Sequence, residues 1–158
     1  MSDPAAMMRK LRDQSLRVTA EDLELAPTQD RPLVWGAIME LGYATGIATL
    51  MTLAEGTTSL YFSNGGGIIG AGEHASVRER AEAFLDVVEA HVAQFPPVDL
   101  TPTPRIGRVR FYVRTFGATL GAEATDEELS QNLHPLSSVF HAGHAVITAI
   151  RLANEDAG

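Results

Sequence analysis

Hydrophobic and polar positions alternate in three distinguishable rhythms along this chain, and each rhythm predicts an element. Asp3-Pro4 is a helix start, with a side-chain cap followed by proline at the first helical position. Met7, Met8, Leu11 and Leu16 then recur at helical spacing, which predicts a short helix ending before Val18. The polar, proline-bearing stretch 19–32 reads as a loop pinned by Leu23 and Leu25. From Leu33 the rhythm changes: residues 33–41 are too rich in large apolar side chains for a surface helix and run into Gly42, so they predict a strand. Residues 47–53 and 59–63 predict two more, joined by a turn in which Gly56 supplies the positive φ of a tight reversal. These three strands form an antiparallel meander.

The glycine run Gly65-Gly66-Gly67 ends the third strand, and Ser76 with Glu79 gives the Ser-x-x-Glu pattern of a capping box, so a helix is expected to start at Ser76. Val77, Ala81, Phe84, Leu85, Val88, Val92 and Phe95 fall on one face of it, the stripe of a helix laid on a sheet. The proline-rich segment 96–104 reads as a stiff connector. Residues 108–114 alternate cleanly, with Val109, Phe111 and Val113 on one side and Arg108, Arg110, Tyr112 and Arg114 on the other. A return strand over 119–123, an acidic connection at 125–128 and a last helix opened by His134-Pro135 complete the pattern.

The expected fold class is therefore α+β: a five-stranded antiparallel sheet packed by helices, in the order α-β-β-β-α-β-β-α. Residues 1–32 form an N-terminal helix and loop, 33–153 the sheet-and-helix core, and 154–158 a tail, all of one domain. This element order, with the size and acidity of the chain, resembles the class I secretion chaperones, small acidic dimeric proteins. The resemblance implies a chaperone-like interaction module and carries over no functional residue.

Composition narrows the function classes. Hydrophobic residues make up 45% and charged residues 20% of 158 positions, a globular balance that supports one core. There is no cysteine, which excludes disulfides, thiolate metal sites and a cysteine nucleophile. A net charge of −8 repels polyanions, so nucleic acid and anionic membranes are not expected partners. Charges at Asp3, Arg9, Lys10, Arg12 and Asp13 interrupt the N-terminus, so neither a signal peptide nor a membrane span is expected there, and the chain reads as cytoplasmic. Met7, Met8, Trp35 and Leu152 exceed what a thin sandwich readily covers, which points to a homodimer.

Four features could carry chemistry. Gly65, Gly67 and Gly70 spell a GxGxxG between a strand and a helix, where a dinucleotide fold would hold pyrophosphate. The antiparallel context and Glu73 oppose that reading, a tight turn or bulge ending an edge strand is the favoured explanation of the glycines, and no cofactor is expected. His134, His141 and His144 lie within roughly 80° of each other at ~100° per residue, on a helix face opposite the core stripe. Three imidazoles can bind zinc or nickel, yet the Glu of a His-Glu-x-x-His motif is missing, and the alternative is a solvated face. Arg108, Arg110, Tyr112 and Arg114 put three guanidinium groups and a phenol on one strand face, either to receive a carboxylate, phosphate or acidic peptide or to pair with neighbouring acids. Ser63 and Asn64 offer a hydroxyl and an amide beside the Gly65, Gly66, Gly67 turn, without the G-x-S-x-G elbow of a hydrolase. No catalytic residue is assigned. The expectation is a non-catalytic protein-binding module, and the alternative is a small-ligand-binding protein or enzyme with its site near the glycine turn and the arginine face.

Overall fold

The structure is a computed structural model and describes residues 3–68, 70–99 and 103–157. Helix α1 (Pro4–Arg17) leads into strands β1 (Val34–Tyr43), β2 (Gly46–Leu53), β3 (Thr58–Phe62) and β4 (Gly67–Ile68). Helix α2 (Ala75–Ala90), strands β5 (Arg108–Thr115) and β6 (Thr119–Thr125), and helices α3 (Asp126–Ser130) and α4 (Ser137–Ala157) follow. The sheet is antiparallel throughout, in the order β4-β3-β2-β1-β5-β6. Among the described residues no helix is long and apolar enough to cross a membrane.

The α+β class and the antiparallel sheet are as the sequence predicts, but the sheet has six strands rather than five. The sixth is the pair Gly67–Ile68, which folds back on Leu60 and Tyr61 from inside the glycine run. A two-residue strand carries no alternation, so periodicity could not reveal it. The acidic connection is also more than a loop. Thr125 caps α3 by accepting a hydrogen bond from the Glu128 backbone N–H at 3.1 Å, while its hydroxyl donates to Glu128 Oε1 at 2.8 Å.

The capping box expected at Ser76 is not there. The N-cap of α2 is His74, with no side-chain bond to the helix, and Ser76 is the second helical residue. A three-residue 3-10 turn, Ala71–Glu73, precedes it and consumes the chain that the sequence left to the loop. At the other end α2 stops at Ala90, and residues 92–94 form a separate 3-10 turn before the prolines.

One sheet face meets α2 and α4. Met39, Leu41, Leu50, Leu60, Val109, Phe111 and Val113 bury against Val77, Phe84, Leu85 and Val88 of α2 and Val139, Phe140, Val146 and Ile150 of α4. Each such side chain contributes roughly 1.5–3 kcal/mol relative to exposure, so this layer supplies most of the fold's stability. Gly143 lets α4 approach closely, since a Cβ there would lie 2.7 Å from Met39 Cε. The opposite face carries a smaller cluster, Leu16, Trp35, Ile38, Met51, Leu53 and Tyr112, covered by α1 and the loop after it. The helical stripe of α1 is turned relative to expectation: Met8, Ser15 and Leu16 are buried, whereas Met7 is 46% exposed.

Candidate functional site

The strand register lines up a polar row across the face beneath α1. Tyr61 of β3 is opposite Thr49 of β2, which is opposite Glu40 of β1, then Arg110 of β5 and Glu123 of β6. Glu40 interrupts an otherwise apolar strand and has no exposure. A buried carboxylate needs a partner. Arg12 of α1 supplies it: Nε and Nη2 donate to Glu40 Oε2 and Oε1 at 2.5 and 2.6 Å, and Thr49 Oγ1 donates to Oε2 at 2.7 Å. The hydrogen bond to Glu40 is the main cause that raises the Arg12 pKa above its ordinary value, against the opposing effect of burial.

The predicted arginine face exists, but its four members are engaged inside the protein. Arg108 Nε donates to Glu123 Oε2 at 2.6 Å, and Arg110 Nη2 donates to Glu123 Oε1. Tyr112 is buried in the lesser cluster. Arg114, 8% exposed, donates through Nη1 to the Leu16 carbonyl at 3.0 Å and through Nη2 to the Val18 carbonyl at 2.8 Å. Its guanidinium carbon lies 4.7 Å from the Trp35 ring centroid, in cation–π contact. Burial lowers its pKa from the usual arginine value. Arg114 thus ties off the C-terminal carbonyls of α1, and Arg12 clamps its middle.

Between α1 and the β2–β3 part of this face lies a cleft of about 250 Å³, lined by Met8, Arg9, Arg12, Asp13, Ile47, Thr49, Tyr61, Phe62, Ser63 and Thr103. Its walls are the apolar Met8, Ile47 and Phe62 and the ring of Tyr61. Its polar groups come from α1, from β2 and β3, from Ser63 just past β3 and from Thr103 of the connector before β5. Ser63 reaches it because its hydroxyl accepts the Ile47 backbone N–H at 2.7 Å, which fixes the side chain at the strand end. The Tyr61 hydroxyl is 3.5 Å from Ser15 Oγ, and Ser15 gives its own proton to the Leu11 carbonyl at 2.9 Å.

The glycine turn forms one end of this arrangement without lining the cleft. Gly65 has φ +106°, and a Cβ there would meet Pro4 Cβ at 2.9 Å, so the turn is the floor on which α1 begins. Asn64 and Gly66 are exposed, and Gly67 belongs to β4. The turn is separated from α2 by the 71–73 turn, so its glycines do not open that helix as a phosphate loop would.

The three histidines do not converge. The expected shared face fails because α4 begins at Ser137, which leaves His134 in the preceding turn, where Nδ1 accepts the Leu136 backbone N–H at 3.0 Å. His141 Nε2 is 2.8 Å from Asn132 Oδ1. His144 is half-buried rather than turned to solvent, 4.4 Å centroid to centroid from Phe140, and its Nε2 is shielded without a partner among the described residues. Burial lowers its pKa, with Asp126 acting in the opposite sense. Among the described residues no group of three or more histidines and acids could hold a metal ion.

The sequence pointed to Ser63 but missed Arg12, Thr49 and Tyr61. The available signal was Glu40: one carboxylate in an apolar strand demands a cation from elsewhere in the chain. Buried hydroxyls of Thr52, Thr58 and Ser59 also lack partners among the described residues, and Thr52 borders a second, smaller cavity of about 130 Å³ beneath α2. No family model, no curated protein and no solved structure matches this chain, so the reading of the site rests on its own geometry.

Proposed function

We propose that this chain is a non-catalytic binding domain that holds a small, largely apolar ligand in the cleft between α1 and the β2–β3 face. The observation that supports it is convergence: Arg12, Thr49, Tyr61 and Ser63, from three elements, surround one concavity whose other walls are apolar. Ligand sites combine an apolar lining with a few positioned polar groups in this way. The volume is slightly below the usual ~300–1,000 Å³ range, which favours a ligand smaller than a typical drug. A binding role accords better than hydrolysis with Ser63, whose oxygen is occupied by a backbone N–H and whose cleft neighbours include no histidine among the described residues.

The test is calorimetry with two eight-carbon probes, octanoate and 1-octanol, against the protein and its Ile47→Trp variant. Ile47 is half-buried at the start of β2, where an aromatic side chain suits a strand and fills the cleft. Saturable one-site binding of at least one probe, lost in Ile47→Trp, supports the reading. Absence of binding by both, or binding unchanged in the variant, overturns it.

A second reading, docking of a protein or a second copy of this chain, is favoured by Tyr43 and Ile106. They are 44% and 70% exposed and adjoin in sequence Gly42 and Gly107, where the Gly107 N–H donates to the Gly42 carbonyl at 2.8 Å. Exposed apolar side chains grouped at one end of a sheet suit an interface, including a chaperone-like one. Light scattering of the wild type and of Tyr43→Ser/Ile106→Ser separates the cases: a dimeric mass that falls to the monomer in the variant supports it, and a monomeric wild type removes the second copy.

A further inference from the structure

We infer that the occupant of the cleft is a monocarboxylate with a short apolar body, its carboxylate held by Arg12, Arg9 and Ser63; this rests on the cleft being the binding site proposed above. Donors outnumber acceptors on the cleft wall. A guanidinium has five N–H groups, and Arg12 gives one from Nε and one from Nη2 to Glu40. Three remain without a partner among the described residues, on a residue that lines the cleft, and the other acid paired with it, Asp13, is 3.9 Å from Nη1, too long for a hydrogen bond. Arg9 brings a second guanidinium to the same rim.

The hydroxyls add to this surplus. Ser63 Oγ accepts from Ile47 N–H, so its own proton is available to donate. Among the described residues Tyr61 has only the long 3.5 Å contact to Ser15, and its proton is likewise poorly used. Against these donors the cleft offers Asp13, whose side chain is 57% exposed and only in a long 3.9 Å ion pair with Arg12, and the lone pairs of Thr49, whose proton goes to Glu40. Glu40 itself is already saturated by Arg12 and Thr49 and has no surface to present.

A ligand that satisfies this set must therefore bring acceptors. A carboxylate brings two oxygens, matches guanidinium geometry and draws charge-assisted bonds that an alcohol cannot. Met8, Ile47, Phe62 and the Tyr61 ring then demand an apolar remainder, and the volume limits its length. The arginines responsible come from α1, not from β5, where all three guanidinium groups are turned to internal partners.

Octanoate, 1-octanol and octylamine share a chain and differ in the head group, so calorimetry with the three isolates it. Octanoate is expected to bind about tenfold more tightly than 1-octanol, the ratio of one charge-assisted bond over a neutral one, and octylamine more weakly than either. Raising the salt concentration should weaken octanoate alone, because Arg9 is exposed and its attraction is screened. Arg9→Gln, a surface change that leaves the Arg12–Glu40 pair intact, should weaken octanoate several-fold and leave 1-octanol unchanged. Equal or tighter binding of 1-octanol or octylamine, with Ile47→Trp still abolishing it, overturns the carboxylate assignment and leaves the cleft as a binding site. Binding of none of the three overturns both.

Discussion

Arg12 and Glu40, 28 residues apart, meet in a two-pronged ion pair on a carboxylate that has no solvent exposure. The pair joins the N-terminal helix to β1, one of the two central strands of the sheet, and stands at the inner wall of the cleft. Its buried half cannot be left alone. Arg12→Leu should therefore cost about 3–5 kcal/mol, the usual penalty for stranding a buried charge. Arg12→Leu/Glu40→Gln should recover most of that loss, because a neutral amide at 40 still accepts from Thr49. Urea melts of the wild type, the single and the double variant check this; additive losses would show that the two side chains are not coupled.

The three strand arginines should separate in stability. Arg108 pairs with Glu123 at a half-exposed site, so Arg108→Gln is expected to cost under ~1 kcal/mol. Arg114 is buried, donates to two carbonyls of the α1 terminus and packs over Trp35. Arg114→Lys should lose about 2–3 kcal/mol, since an ammonium reproduces neither the fork nor the stacking. Denaturant midpoints of the two variants give the comparison, and equal losses would contradict it.

At α2 the cap can be moved. His74 occupies the N-cap with no side-chain bond, so His74→Asp should stabilise by ~0.5–1 kcal/mol through a new bond to the first-turn N–H groups and the helix dipole. Ser76→Ala, inside the helix, should change stability by less than ~0.5 kcal/mol. A loss of about 1 kcal/mol from Ser76→Ala would place the helix start at Ser76 after all.

These positions show what the sequence could and could not say. Asp3-Pro4 caps α1 as read, with Asp3 Oδ1 accepting from Ala5 N–H at 3.1 Å, because a cap is local chemistry within two residues. The alternation of 108–114 likewise gave β5 and the side that meets the helices, but not the burial of Tyr112 and Arg114 on its other side. The Ser76 pattern misled because Ser-x-x-Glu also occurs inside a helix, and the register of its start was set by the 71–73 turn. The Thr125-x-x-Glu128 pattern did cap a helix, with the Glu128 carboxylate accepting from the Thr125 hydroxyl rather than from its backbone N–H, and the acidic composition hid it. In the arginine row, Arg108 and Arg110 pair with Glu123, the neighbouring-acid alternative that the sequence offered, whereas the bonds of Arg114 to the end of α1 span 98 residues and no local pattern encodes them.

His144 makes stability depend on pH. Burial lowers its folded pKa below the unfolded value of about 6.5, so the unfolded chain binds the proton more readily. Stability from this group is complete above pH ~6.5 and is lost as pH falls from there toward the folded pKa. The urea midpoint of wild type should drop between pH 7.5 and 5.5 by more than that of His144→Phe, the difference isolating this residue from the other titrating groups. Equal drops would show that the imidazole is solvated.

Nuclear magnetic resonance with ¹⁵N-labelled protein and octanoate decides whether the α1 cleft is the binding site, because it reports where a ligand goes as well as whether it binds. Amide shifts should saturate at one site and concentrate on Met8, Arg9, Arg12, Ile47, Thr49, Tyr61, Phe62 and Ser63, with β5 and α4 unmoved. Saturating shifts centred on Tyr43 and Ile106, or no shifts at millimolar octanoate, would contradict the assignment of this cleft as the functional site.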